Sequence, residues 1–218
     1  MTERTGPRSG RQAEAARNDR LILEAARTVF MRDPVAPISA VAAEAGVGVG
    51  ALYRRYASKE VLLQTLCSDG LERFVAIAEA ASADEPDPWR ALARFIEGIV
   101  DADVHSLTVH LAGTFTPTEA MRELAASSNR HVERLFRRAR AAGVIRPDLH
   151  LNDIVMVFEQ LAAVRLGDAE RTRALRRRYL ALQLDALCAD PVATRLPGRA
   201  PTNDELGARW APASAAGG

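Results

Sequence analysis

Four side chains close together in this sequence can act on a phosphate or a base edge: Tyr53, Arg54, Arg55 and Lys59. A phenolic hydroxyl, two guanidiniums and an ammonium supply hydrogen-bond donors and positive charge. That combination binds an anion and does no bond-breaking chemistry. A second group, Asp101, Asp103, His105 and His110, could in principle hold a metal or move a proton, since Asp101 and His105 are four apart and share a helix face. No HExxH, GxSxG, phosphate-binding glycine loop or dinucleotide fingerprint accompanies it. These residues therefore read as capping or solvated groups, with one His near a ligand pocket, and an enzyme or plain small-molecule binder stays as the rival reading. No metal site, cofactor or catalytic residue is expected.

The first group must be positioned by the stretch Ile38 to Lys59. Val41, Ala42 and Ala45 fall on one face of a short helix, and Gly46 sits where a sharp turn needs a residue without a Cβ. Val47 to Tyr56 then gives a second helix. Val47, Ala51 and Leu52 can pack inward, with Gly48, Gly50, Tyr53, Arg54 and Arg55 outward. This is a helix-turn-helix pattern, and small residues beside donors suit the major groove of DNA. Ser58 caps a third helix that opens with Lys59. Of the 29 basic residues, Lys59 is the one lysine, so an ammonium at a helix N-terminus, where anions are favoured, stands out as a phosphate clamp.

The stretch AGVGVGALYRRYASKEVLL resembles the DNA-binding signature of the TetR family of bacterial transcription regulators. The matching residues are Ala45-Gly46-Val47, Leu52-Tyr53, Tyr56, Ser58-Lys59-Glu60 and Val61-Leu62-Leu63. The resemblance implies that Tyr53 and Lys59 grip phosphates, that Gly48, Ala51, Arg54 and Arg55 lie against the groove, and that Ser39 and Gly50 belong to the same surface. The family often carries Thr or Ser where this chain has Gly50 and Ala51. Without those hydroxyls, readout shifts towards Arg54, Arg55 and DNA shape.

Length and composition agree with such a protein. The 218 residues are 48% hydrophobic and 26% charged with net charge +1, enough for a sizeable core and unlike a polybasic binder. Residues 1–60 hold ten basic and seven acidic side chains, the remainder nineteen and twenty-one, so the mild positive potential lies in the N-terminal part. Cys67 and Cys188 have no metal-ligand spacing and are expected as free thiols in a reducing cytoplasm. No apolar run approaches the roughly 18 residues of a membrane span, and the N-terminus lacks a signal peptide's apolar region. The protein is expected in the cytoplasm, away from membranes.

The pattern predicts an all-α chain of about nine helices: a three-helix DNA-binding domain over 18–64 and a helical effector-binding and dimerisation domain over 65–190. Residues 1–17 read as a disordered basic arm and 191–218 as a Pro/Gly-rich tail. Asn18 or Asp19 caps the first helix. The helix from Ser58 should reach about Ala81, with Gly70 as a soft point. Pro88 opens a helix with Leu92, Phe95, Ile96 and Ile99 on one side, and a segment near 104–112 follows. Thr116-Pro117-Thr118-Glu119 reads as a capping box with Pro at the first helical position, opening a helix that ends at Gly143. Further helices start at Asn152-Asp153 and at Ala169.

Phe74, Trp89, Phe95, His110, Phe115, Met121, Phe136, Met156 and Phe158 are the candidates for a small-molecule pocket, chiefly because TetR-like regulators have one among these helices. The last two helices are apolar on more than one face, which points to a four-helix dimer interface through Phe158, Leu161, Val164, Tyr179, Leu180, Gln183, Leu184 and Leu187. A bundle closed within one chain is the alternative. Dimerisation is also the family's habit: two reader helices about 34–36 Å apart match the halves of a palindromic operator. The connector GVIRPDL and the tail LPGRAPTNDEL resemble an actinobacterial branch of TetR regulators. Together these features imply a ligand-responsive homodimer on double-stranded operator DNA, read as a repressor.

Overall fold

The computed structural model describes the backbone of residues 7–189 and 195–207, with side chains for all of these except 7–16 and 84. Ten helices and no named strand occur among them, so the chain is all-α, as the periodicity predicts. It divides after Leu66 into two compact units.

The first unit holds α1 (Pro7–Arg32), α2 (Ile38–Glu44), α3 (Val49–Arg55) and the opening turns of α4 (Lys59–Asp84). α1 is longer than the sequence reading allows. Its backbone is helical from Pro7, so Asn18 and Asp19 lie within the helix and do not cap it. Pro at the first turn and the run of Arg, Gln, Ala and Glu that follows Gly10 favour helix. Residues 1–6 of the expected arm lie outside the described residues. Ile22, Ala26 and Phe30 of α1 are buried together with Val41, Ala42, Leu52, Leu62 and Leu63 of the same unit, all at most 2% exposed. Each large side chain buried this way contributes about 2 kcal/mol of transfer free energy.

The second unit continues α4 and adds α5 (Pro88–Asp101), α6 (Val104–Leu111), α7 (Glu119–Ala141), α8 (Leu151–Ala163), α9 (Ala169–Leu187) and the five-residue α10 (Asn203–Gly207). α5 is capped by Asp87, whose side chain accepts from Arg90 N at 2.7 Å. Its predicted stripe of Leu92, Phe95, Ile96 and Ile99 is fully buried. At Gly98 the chain needs the missing Cβ, which would stand 2.7 Å from Cγ2 of Ile77 on α4. α7 begins two residues later than expected. Thr118, and not Thr116, is the cap, its hydroxyl accepting from Met121 N, and Pro117 precedes the helix. α8 is capped by His150, which accepts from Asn152 N while Asp153 accepts from His150 N.

Arg176 of α9, 7% exposed, ties three elements together. It donates to the carbonyls of Ala162 and Val164 at the end of α8 and to Asp103 Oδ1 at 2.5 Å. Asp103, between α5 and α6, has φ +51°, a conformation that Asp tolerates better than most residues. The connector after α7 pairs with the end of α9: Arg146 N donates to Leu187 O and Ala189 N to Val144 O. Part of the tail is ordered against the same connector. Leu196 N donates to Asp148, and Asn152 donates to Pro201 O and Asn203 Oδ1 at 2.7 and 2.9 Å. Residues 208–218, with Trp210, lie outside the described residues.

Five residues expected at a dimer interface are buried within the single chain. Phe158, Leu161, Leu180, Leu184 and Leu187 are at most 9% exposed and belong to the core of the single chain. A helix apolar on two faces must turn one inward, and these form the inner face. Val164 and Gln183 are half-buried, and Tyr179 is 45% exposed beside Leu182 at 61%.

Candidate functional site

The reader element is built by one turn. α2 ends at Glu44, Gly46 takes φ +66°, and Val47 N reaches back to Ala42 O at 3.0 Å. α3 then starts at Val49, with Leu52 fully buried as its anchor. Its other side chains look outward: Gly48, Gly50, Ala51, Tyr53, Arg54 and Arg55 are exposed, as is Ser39 on α2. Ala51 was one of three expected to pack inward. It does not, because with seven residues α3 has room for one buried position per turn, and Leu52 fills it with Tyr56, which is 5% exposed. Val47 is half-buried, and Val49, which sequence reasoning missed, is exposed on the same surface. A Cβ on Gly48 or Gly50 would meet nothing within 4 Å. The fold therefore does not demand these glycines, and their smallness leaves backbone open to a close partner.

Two of the four donors have partners inside the unit. Arg55 forms a two-pronged ion pair with Asp19 of α1, its Nε donating at 2.6 Å and its Nη2 to the other oxygen. The pair raises the guanidinium's pKa, chiefly through the hydrogen bond to Asp19. Lys59 Nζ donates to Pro34 O at 3.0 Å and lies 5.2 Å from the centre of the Phe30 ring. Partial burial lowers its pKa, opposed by Asp33. Lys59 thus braces the start of α4 against the α1–α2 connection with one of its three donor hydrogens. Ser58 caps that helix, its hydroxyl accepting from Val61 N. Tyr53 and Arg54 remain on the open surface.

The second unit contains a cavity of about 750 Å³, within the range of drug-sized binding sites. Of the nine residues expected there, Phe74, Phe136 and Phe158 line it. Phe95 stands one ring behind, edge-on to Phe74 at 5.4 Å and to Phe158 at 6.2 Å. Trp89, His110, Phe115, Met121 and Met156 are not in its wall. Trp89 packs against the core, Phe115 and Met121 are buried, and His110 has its pKa lowered by burial and by Arg165. Large apolar residues were the signal used, and they mark a core as readily as a cavity. Of the polar lining, Ser128 and Asn152 went unread, and His105, whose ring lies 5.4 Å from that of Phe158, takes the place near a pocket expected for one His and assigned to His110. On the buried face of α7 Ser128 stands with Met121, Val132, Leu135 and Phe136, a polar residue among apolar ones. That break in pattern was the available clue.

The acid and histidine group does not converge. Asp101 pairs with Arg177 at 2.6 and 2.9 Å, and Asp103 with Arg176. Among the described residues no three His, Cys, Asp or Glu side chains could hold a metal ion, and no helix is long and apolar enough to cross a membrane. Cys67 and Cys188 are not joined in a disulfide.

Comparison with known proteins adds to this geometry. The profile of bacterial regulatory proteins of the tetR family matches residues 22–66, and that of the SbtR-like transcriptional regulator C-terminal domain matches residues 87–189. No curated protein matches in sequence. Among solved structures, the TetR transcriptional regulator SCO0520 from Streptomyces coelicolor is 27% identical with a TM-score of 0.53, over 78% of this chain and 98% of that one. A TetR transcription regulatory protein from Mycobacterium vanbaalenii is 25% identical with a TM-score of 0.56, over 82% and 99%. The TetR-like regulator LfrR from Mycobacterium smegmatis, in complex with proflavine, is 24% identical with a TM-score of 0.56, over 77% and 96%. The first profile ends at Leu66, where the units divide, and the second lies wholly within the second unit. The chain belongs to the TetR family of DNA-binding transcriptional regulators.

Proposed function

We propose that this regulator is an effector-responsive repressor that binds a palindromic operator as a homodimer and works in the cytoplasm without catalysing a reaction. One observation carries the reading. α4 starts at Lys59 beside the reader helix and runs as one unbroken helix to Asp84, and its Gly70, Leu71 and Phe74 line the cavity. An occupant that prefers a different packing of those residues acts on the helix whose first turns belong to the DNA-binding unit. A differential affinity of about 1–3 kcal/mol between two conformations changes operator binding roughly five- to 150-fold. The neighbour LfrR, of the same fold, holds proflavine, which supports a small-molecule occupant.

Dimerisation is supported by α9, where Tyr179 and Leu182 leave apolar surface exposed. Tyr53, Arg54 and Lys59 are assigned to DNA contact with the backbone at Gly48 and Gly50. For Lys59 this means exchanging Pro34 O for a phosphate, or using a second hydrogen.

The test is binding of the purified protein to the DNA flanking its own gene at low and moderate salt, beside Tyr53→Phe and Lys59→Ala. Tight, salt-sensitive binding weakened in both variants supports the reading, with the slope of log K against log salt falling by about one for Lys59→Ala. Absence of binding there and in a selection from random-sequence DNA would leave the rival, a small-molecule binder with a structural N-terminal unit.

A further inference from the structure

We infer that the cavity of the second unit takes an uncharged, mostly apolar ligand carrying one hydroxyl or carbonyl group, which bonds to the Ser128 hydroxyl. The inference rests on reading that cavity as the effector site, and three observations support it.

The floor is apolar and partly aromatic. Phe74, Val132, Phe136, Ile154 and Phe158 are buried or half-buried and face the space. Such a wall favours a ligand that buries rings or chains. Within it, Ser128 is 4% exposed and its Oγ has no hydrogen-bond partner among the described residues. A hydroxyl buried without a partner carries a desolvation cost, and a ligand oxygen would relieve it. Because a serine hydroxyl both donates and accepts, it can meet a hydroxyl or a carbonyl.

Charge at the exposed rim is balanced. Arg137 and Arg140 stand with Glu133 and Asp148, two of each sign. Arg140 is taken by the carbonyls of Pro147 and Leu149 and lies over the Phe136 ring. Asp148 is taken by Arg146 and by Leu196 N. Arg137 Nε donates to the Glu133 backbone carbonyl at 3.4 Å, and the two exposed side chains, one turn apart on α7, carry opposite charges. Burying a charged ligand group among these residues would leave it without a dedicated counter-charge, at a cost no apolar contact offsets.

The experiment uses four probes that share one fluorescent ring system and differ in a single substituent: 1-methylpyrene, 1-pyrenemethanol, 1-pyrenecarboxylate and 1-pyrenemethylammonium. Each is titrated into the full-length protein without DNA, and into Ser128→Ala. The expected order places 1-pyrenemethanol first by about three- to tenfold over 1-methylpyrene, the worth of one net hydrogen bond, with both charged probes at least tenfold weaker. Ser128→Ala should erase the preference for the alcohol and leave 1-methylpyrene unchanged, which also shows that the variant is folded. A charged probe that binds as well as the alcohol overturns the inference. So does a preference for the alcohol that survives in Ser128→Ala, or no binding by any of the four. Release of DNA is measured afterwards with the probe that binds. Failure there counts against effector response and leaves the ligand class standing.

Discussion

Removing Asp19 should strengthen DNA binding. The carboxylate holds both prongs of Arg55 on α1, so in the wild type Arg55 acts as a brace and Arg54 is the guanidinium free to meet a phosphate. Asp19→Ala releases a second one and removes a negative charge from the DNA-facing unit. Each added phosphate contact steepens the slope of log K against log salt by about 0.9. On a rise from about 50 to 200 mM salt that extra contact costs a further factor of roughly 3.5. The fold should persist, because the pair is part-exposed, 57% at Arg55 and 23% at Asp19, Asp19→Ala leaves the remaining guanidinium in contact with water, and Ala is a better helix former than Asp. Fluorescence anisotropy of a labelled duplex over a salt series reads the slope directly. Expected are a steeper slope and tighter low-salt binding for Asp19→Ala, an unchanged slope for Arg55→Ala, and a slope shallower by about one for Arg54→Ala. If Arg55→Ala flattens the slope while Asp19→Ala leaves it alone, Arg55 abandons Asp19 on binding and the brace assignment is refuted.

Three further outcomes are expected. Gly98→Ala forces a Cβ to within 2.7 Å of the stiff Ile77 side chain and should lower stability by about 1 kcal/mol, overpacking outweighing the helix-propensity gain. In an Ile77→Ala background the same change should stabilise, and equal effects in both backgrounds by urea unfolding would exclude the steric cause. Gly70→Ala meets only an ordinary 3.5 Å contact with Val104, so stability should rise by about 0.5–1 kcal/mol. Release of DNA by 1-pyrenemethanol should weaken if α4 bends at Gly70, and unchanged release rules out that bend. Glu205 accepts from Thr202 and Arg199 and has its pKa pulled down from 4.5 to about 2, chiefly by the Thr202 backbone N–H. Its hold on the 195–207 segment is therefore complete above about 4.5 and lost as the pH falls through about 2. Amide exchange at Thr202 should show this loosening, and Glu205→Gln should abolish its pH dependence.

What the sequence reveals depends on whether a feature is local. The α5 stripe and the turn at Gly46 are set by residues within a few positions, and both are readable as period and as a missing Cβ. The first turn of α7 is nearly local, but two threonines flank Pro117 and each could cap, so the start was placed two residues early. The cavity is not local. Whether Phe74 lines a space while Phe95 backs it depends on how four helices meet, and both look alike in sequence. The same holds for Leu180 and Tyr179, neighbours on an apolar helix, one buried and one exposed. Partners far apart, such as Asp19 with Arg55 and Arg176 with Asp103, leave no trace in spacing at all.

The brace made by Lys59 has a practical chemical consequence. It is the one lysine in the chain, so the protein offers a single side-chain amine to any amine-directed reagent, and burial has shifted that amine towards its neutral, nucleophilic form. Reductive methylation with isotopically labelled formaldehyde would then place one side-chain reporter at the N-terminus of α4, beside the reader helix. Its resonance would tell directly whether the ammonium stays on the Pro34 carbonyl when DNA arrives, a spectroscopic handle that a lysine-rich relative could not provide without mutagenesis.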